Sequence, residues 1–159
     1  QNLPGAAVDI VFPGLKSIPK GIIAKAELMF TVLNDYGNSI GTTYLGPEKL
    51  YPEGIGNGVY PAGTLLGLNY ILSDYLPVTS TSPLSVLDGY HHNINGKWVY
   101  TINIPREVMN SLKSNNDTLH LHINGTGDYY GASHLVLGGG SYPDTAYRPK
   151  LFVVYSQLN

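Results

Sequence analysis

Apolar and polar positions alternate with a period of two along much of this chain, and Gly and Pro cut the alternation into short pieces. Ile22, Ala24, Ala26, Leu28, Phe30 and Val32 fall on one face of an extended segment while Lys25, Glu27 and Thr31 fall on the other. That predicts a half-buried strand with the first set turned to the core, closed by the turn residues Asn34-Asp35-Tyr36-Gly37. Ala6 to Phe12 reads as a shorter opening strand, with a turn from Pro13 to Pro19, and Lys49 to Tyr51 as a brief strand inside a long Gly- and Pro-rich loop. Thr64 to Leu72 is expected to be extended and Ser73 to Ser85 to be a second loop.

The strongest turn signal is Asn95-Gly96, whose residue types suit the positive φ angles of a type I′ hairpin. Behind it Trp98, Tyr100, Ile102 and Ile104 alternate with Val99, Thr101 and Asn103, so the first set is expected to face the core. Pro105 then stands where a first helical position would be, Glu107, Val108 and Leu112 follow, and Asn115-Asn116 forms a stop; a helix is predicted from Pro105 to Lys113. Leu119, Leu121 and Ile123 alternate with His120, His122 and Asn124 in the next strand. His134 to Leu137 and Lys150 to Tyr155 are expected to complete the sheets. In the last of these, Leu151, Val153 and Tyr155 share one face and Phe152 and Val154 the other, so both faces are expected to pack and the strand to be structural, outside any binding site.

The resulting fold class is an all-β, jelly-roll-like antiparallel sandwich of about eight strands with one short helix, a single domain over residues 1–159. Charged residues make up only 13% of the chain and the formal net charge is -2, which gives nucleic acid and acidic membrane surfaces no electrostatic footprint to bind. No apolar run approaches the ~20 residues that a membrane-spanning helix needs. The absence of Cys removes disulfides, thiolate chemistry and Cys-based zinc sites.

Four stretches, in order, resemble a family of Bacteroidetes outer-membrane lipoproteins classed as a domain of unknown function: VDIVFPGLKSIPKGIIAKAELMFTV from Val8, PEKLY from Pro47, VLDGYHHNINGKWVYTINIPREV from Val86, and HLVLGGG with RPKLFVVY near the end. The closing pattern is also similar to that of DNRLRE-type carbohydrate-binding modules, which are jelly rolls. The resemblance implies an extracellular or outer-membrane surface location and no known activity. The chain lacks the lipoprotein leader and lipidated Cys of that family, so it is expected to be the C-terminal part of a longer precursor. Asp117-Thr118-Leu119 and Asp144-Thr145-Ala146 resemble the short motif that this phylum O-glycosylates, which makes Thr118 and Thr145 candidate modification sites.

Candidate chemistry is sparse. His120 and His122 lie two apart on one strand face and could hold zinc given a third ligand, with His91, His92 and His134 as distant candidates; a solvent-facing strand is the plainer account. Asp35, Asn38, Glu48 and Asp128 carry oxygens suited to a structural calcium ion, although turn chemistry explains them without one, and no other cofactor is expected. Neither a nucleophile elbow nor a phosphate-cradling glycine loop occurs, Ser133-His134 adjacency is no nucleophile and base pair, and Glu48 with Glu53 is a loose acid/base placement. Tyr129, Tyr130, Tyr142, Tyr90 and Trp98 are the candidate ligand-binding residues, since rings in loops at strand ends stack on sugars or anchor protein partners; Trp98 also suits the core. The expected role is a non-enzymatic structural or adhesive module that assembles with other surface proteins or with its own upstream domain, with glycan binding by the loop tyrosines as the alternative and a hydrolase as a remote third.

Overall fold

The computed structural model describes residues 7–33, 46–55, 69–75, 88–126 and 135–157. Among them are eight strands, β1 (Val8–Pro13), β2 (Gly21–Thr31), β3 (Lys49–Ile55), β4 (Asn69–Ile71), β5 (His91–Ile94), β6 (Lys97–Asn103), β7 (Thr118–Thr126) and β8 (Lys150–Gln157), and one helix, α1 (Pro105–Lys113). All strand pairs are antiparallel, in two sheets ordered β1-β7-β3-β4 and β5-β6-β2-β8. This is the sandwich with one short helix that the alternation predicts.

The two sheets share one bent ribbon. Val8 faces Ile123 and Pro13 faces Thr118 in the first sheet; Glu27 faces Asn103 and Thr31 faces Val99 in the second. Both strands of the first pair thus run on into both strands of the second, and the ribbon folds over between them, as a jelly roll requires. At the bend, a 3-10 turn (Leu15–Ser17) sits on one arm and α1 on the other. Asp117 pins the turn through its carbonyl, which accepts from the Leu15 amide at 3.0 Å, and its carboxylate, which accepts from the Lys16 amide at 3.0 Å.

The opposite side is closed by residues 88–90. Leu50 donates its amide to Gly89 O at 2.9 Å while Thr101 donates to Tyr90 O at 3.3 Å, so this segment touches β3 and β6 at once. A Cβ at position 89 would lie 2.1 Å from Leu50 O, which is why glycine stands there. Strand β3 is longer than the predicted Lys49 to Tyr51 despite containing Pro52. Along its outer edge, residues 49–50 meet 89–90 and residues 53–55 meet β4, so Pro52 falls between the two partners where no amide is needed.

One prediction is corrected in β2. Ile23 faces Tyr155 but Lys25 faces Val154, so Ala24 is an extra residue on β2 and the alternation changes phase there. The buried set is Ile23, Ala26, Leu28, Phe30 and Val32, while Ile22 (53% exposed) and Ala24 face solvent. This row packs with Tyr100, Ile102 and Ile104 from β6 and its end, Leu119, Leu121 and Ile123 from β7, Leu50 from β3 and Val108 from α1. The Tyr100 hydroxyl donates to Pro47 O at 2.6 Å inside this core, and burial pushes its pKa up to about 12.

The hairpin and helix form as predicted. Asn95 and Gly96 adopt φ of 52° and 81°, and α1 spans Pro105–Lys113 with Asn115 left-handed beyond its end. Asn115 N–H donates to Leu112 O and Asn116 N–H to Ser111 O, a Schellman closure. The N-terminus is capped from elsewhere. Asp74 accepts from the Arg106 and Glu107 amides at 2.8 and 2.9 Å, and the buried Glu107 carboxylate accepts in return from the Ser73 amide and hydroxyl, both at 3.3 Å. It is a capping box assembled from two distant segments.

Two further expectations are amended. Residues 135–137 form only a bridge, Val32 to Leu137, with Leu33 N–H donating to Val136 O, and His134 lies outside the described residues. Strand β8 is structural, pairing along β2, but only its inner residues Leu151 and Val153 pack against the core; Phe152 (55%) and Val154 (42%) are exposed because no layer covers that end of the sheet among the described residues. Residues 64–68, the turn at Asn34 to Gly37 and most of Ser73 to Ser85 lie outside the described residues.

The bulge gives a direct comparison. Ile23→Ala is expected to destabilise the fold by about 2–5 kcal/mol, the cost of a large-to-small core substitution, while Ile22→Ala changes it by less than about 0.5 kcal/mol as an exposed position. Urea melts of the two variants check this; equal losses would return Ile22 to the core.

Candidate functional site

The aromatic candidates are spread over the molecule. Tyr129 and Tyr130 lie outside the described residues. Tyr142 is half-buried and meets Tyr147 edge-on, with centroids 5.9 Å apart, and its carbonyl accepts from Arg148 Nε at 2.7 Å. Lys97 Nζ stands 4.2 Å from the Tyr147 ring and Thr31 Oγ1 donates to Ala146 O at 3.2 Å, so this segment lies on the outer face of β6 and β2. Tyr90 is exposed, with Lys49 Nζ 4.2 Å from its ring. Trp98 is half-buried against the core, its ring 5.2 Å from that of His91. The rings of Tyr142, Tyr90 and Trp98 are each engaged by a cation or a second ring of the same chain.

Two cavities lie along β1. One of about 590 Å³ is lined mainly by apolar side chains, among them Val8, Ile10, Phe30 and Leu137, with Gly138, Gly139 and Gly140 at its wall. The other, about 420 Å³, separates Phe12 to Pro19 from the inner face of β8 at Leu151, Val153 and Tyr155. Neither is lined by Tyr90, Trp98 or Tyr142.

The outer face of the first sheet carries the histidines. His120 and His122 share that face as the alternation requires, and strand register places Asp9 and Glu53 on either side of His122. His122 Nδ1 meets Asp9 Oδ1 at 2.5 Å, and Asn124 Nδ2 donates to Glu53 Oε2 at 3.2 Å. This row of acid, imidazole and acid across three strands is invisible in the sequence, where its members are far apart. Among the described residues no group of three or more His, Asp or Glu could hold a metal ion. Of the calcium candidates Glu48 is exposed, and Asp35, Asn38 and Asp128 lie outside the described residues. His91 is half-buried with its Nδ1 unpartnered among the described residues, and His92 is exposed. Thr145 is exposed on a one-turn 3-10 segment (Thr145–Tyr147) capped by Asp144, whereas Thr118 is half-buried at the start of β7.

The acids that sequence reasoning passed over are Asp74, Asp88 and Glu107. All three serve backbone amides: Asp74 and Glu107 in the shared cap, and Asp88 through both oxygens to the Asn103 amide at 3.2 Å. Burial raises the pKa of Asp74 and of Asp88 above the ordinary carboxylate value, against the opposing pull of those hydrogen bonds. Tyr75, buried beside them with its hydroxyl unpartnered among the described residues, is also raised, first by burial and then by the charges of Asp88 and Asp74.

A folded carboxyl with a raised pKa binds its proton more tightly than the unfolded one. Its protonated form therefore adds stability that is complete below the unfolded value of about 3.9 and is lost as pH rises through the higher folded value. Asp74→Asn cannot titrate. Wild type is expected to gain stability relative to Asp74→Asn when urea melts at about pH 7 are repeated at about pH 4.5; a relative loss on acidification would reverse the sign and refute the burial account.

Comparison of the chain with protein-family models, with curated proteins and with solved structures finds no match.

Proposed function

We propose that this chain is a non-enzymatic structural or adhesive module of a bacterial surface protein, acting by protein-protein assembly at the cell surface. The observation that carries this reading is the edge of the second sheet: among the described residues β8 pairs on one side only, and its outer face exposes Phe152 and Val154, with the exposed Ile22 of β2 farther along, opposite Ser156. Exposed apolar side chains on an edge strand make a surface suited to a protein partner, since they offer hydrophobic area next to backbone groups available for pairing. The low charge and the resemblance to surface lipoproteins agree with an extracellular setting, and the carboxylates with shifted pKa values, Asp74 and Asp88, accept hydrogen bonds from backbone amides.

The test uses beads coated with wild type or with the double variant Phe152→Glu, Val154→Lys. Wild-type beads are expected to cluster or to retain purified outer-membrane proteins, and the variant to lose at least about ten-fold of that binding; because the altered side chains are exposed, its stability is expected to stay within about 0.5 kcal/mol. Dispersed wild-type beads that retain no protein, or binding only to a glycan array, would overturn the assignment.

A further inference from the structure

We infer that the partner of the β8 edge is a second copy of this chain, joined by antiparallel β8 to β8 pairing about a two-fold axis at Val153, an inference that rests on the proposed assembly role. The outer strands of the two sheets are unequal. β4 has three residues and β5 four, and β1 ends in Pro13 and carries Asp9 in contact with His122. These are the short, charged or proline-bearing edges that discourage strand addition. β8 runs for eight residues, Lys150–Gln157, with a single charge at its first position and no proline, and its far side has no partner among the described residues.

Its sequence is self-complementary in one register. With Val153 opposite Val153 of the second copy, Phe152 meets Val154, Leu151 meets Tyr155 and Lys150 meets Ser156, each twice by symmetry, and facing residues share a sheet face as pairing demands. A shift of the partner by two residues one way sets Lys150 against Val154, and the other way sets Phe152 against Ser156. Glu27 lies beside Phe152 and Lys25 beside Val154 within one chain, and the two side chains are ion-paired at 2.9 Å, so each apolar row across the pair is flanked by charges that are already matched. The contact is isologous and closes as a dimer, with the two second sheets made continuous.

The absence of Cys from the chain makes the register directly readable. Phe152→Cys and Val154→Cys are made separately. In the stated register residue 152 faces only residue 154, at the Cα separation of about 4.5–5.5 Å that a disulfide spans. An oxidised mixture of the two variants is expected to give at least ten-fold more covalent dimer than either variant alone. Light scattering of the wild type is expected to show a concentration-dependent dimer that Phe152→Glu with Val154→Lys abolishes, and amide exchange in β8 to slow as concentration rises. Equal cross-linking in single variants and mixture, or a monomer at every concentration with unchanged exchange, overturns the inference. If those monomers still retain surface proteins on beads, the assembly role stands and only its partner changes; if they retain nothing, both fall together.

Discussion

Bending one antiparallel ribbon across two sheets is the constraint on which the rest of this molecule depends. A strand that leaves one sheet for the other breaks its ladder at the corner, and every amide and carbonyl released there needs another partner. The corner is accordingly dense with substitutes. Asp117 holds Leu15 and Lys16, Asn103 Oδ1 accepts from the Ala26 amide at 3.2 Å, and the Ile104 amide donates to Ala26 O at 2.7 Å. Helix α1 begins where β6 stops and lays Val108 against the core, filling the position beside β2 that a continued β6 would have taken.

That solution transfers the problem to the helix N-terminus, whose free amides are now near the core. The shared cap of Asp74 and Glu107 resolves it, and it explains why a half-buried carboxylate with a raised pKa, Asp74, occurs in a chain with so few charges. In an isolated reading, shifted acids beside a buried tyrosine resemble catalytic machinery. Here the oxygens of Asp74 and Asp88 accept from amides of the chain, at Arg106, Glu107 and Asn103. Desolvation is the leading cause of the raised pKa both at Asp74, in the cap, and at Asp88, beside the Asn103 amide.

Local signals were readable in the sequence and long-range ones were not. Asn95-Gly96, Pro105 and Asn115 each dictate backbone geometry over a few residues, and the hairpin and helix stand where those residues put them. The alternation in β6 and β7 identified Tyr100, Ile102, Leu119 and Leu121 as core. What failed was phase and partnership. A bulge leaves no mark in composition, so Ile22 and Ile23 were indistinguishable until the register with β8 was known. The Asp74 cap, the Asp9-His122-Glu53 row and the place of Pro52 each depend on which strands become neighbours. The candidate tyrosines were legible as residue types, but no pattern of spacing could tell that Tyr142 would meet Tyr147 or Tyr90 would meet Lys49.

The bulge also ties the core to the surface. Ala24 shifts the alternation so that Ile23 enters the core, and the same shift turns Ile22 outward opposite Ser156. Without the extra residue, Ile22 would join Ala26 and Leu28 inside, and the outer face of β2 would lose the apolar side chain opposite Ser156. Bulges increase strand twist and are used to re-aim side chains near sheet edges. In this chain the re-aimed residue lies one strand in from the edge with the fewest devices against pairing. Because β8 pairs along β2 from Gly21 to Met29, a change of phase anywhere in that span alters the core and the face beside the edge strand together.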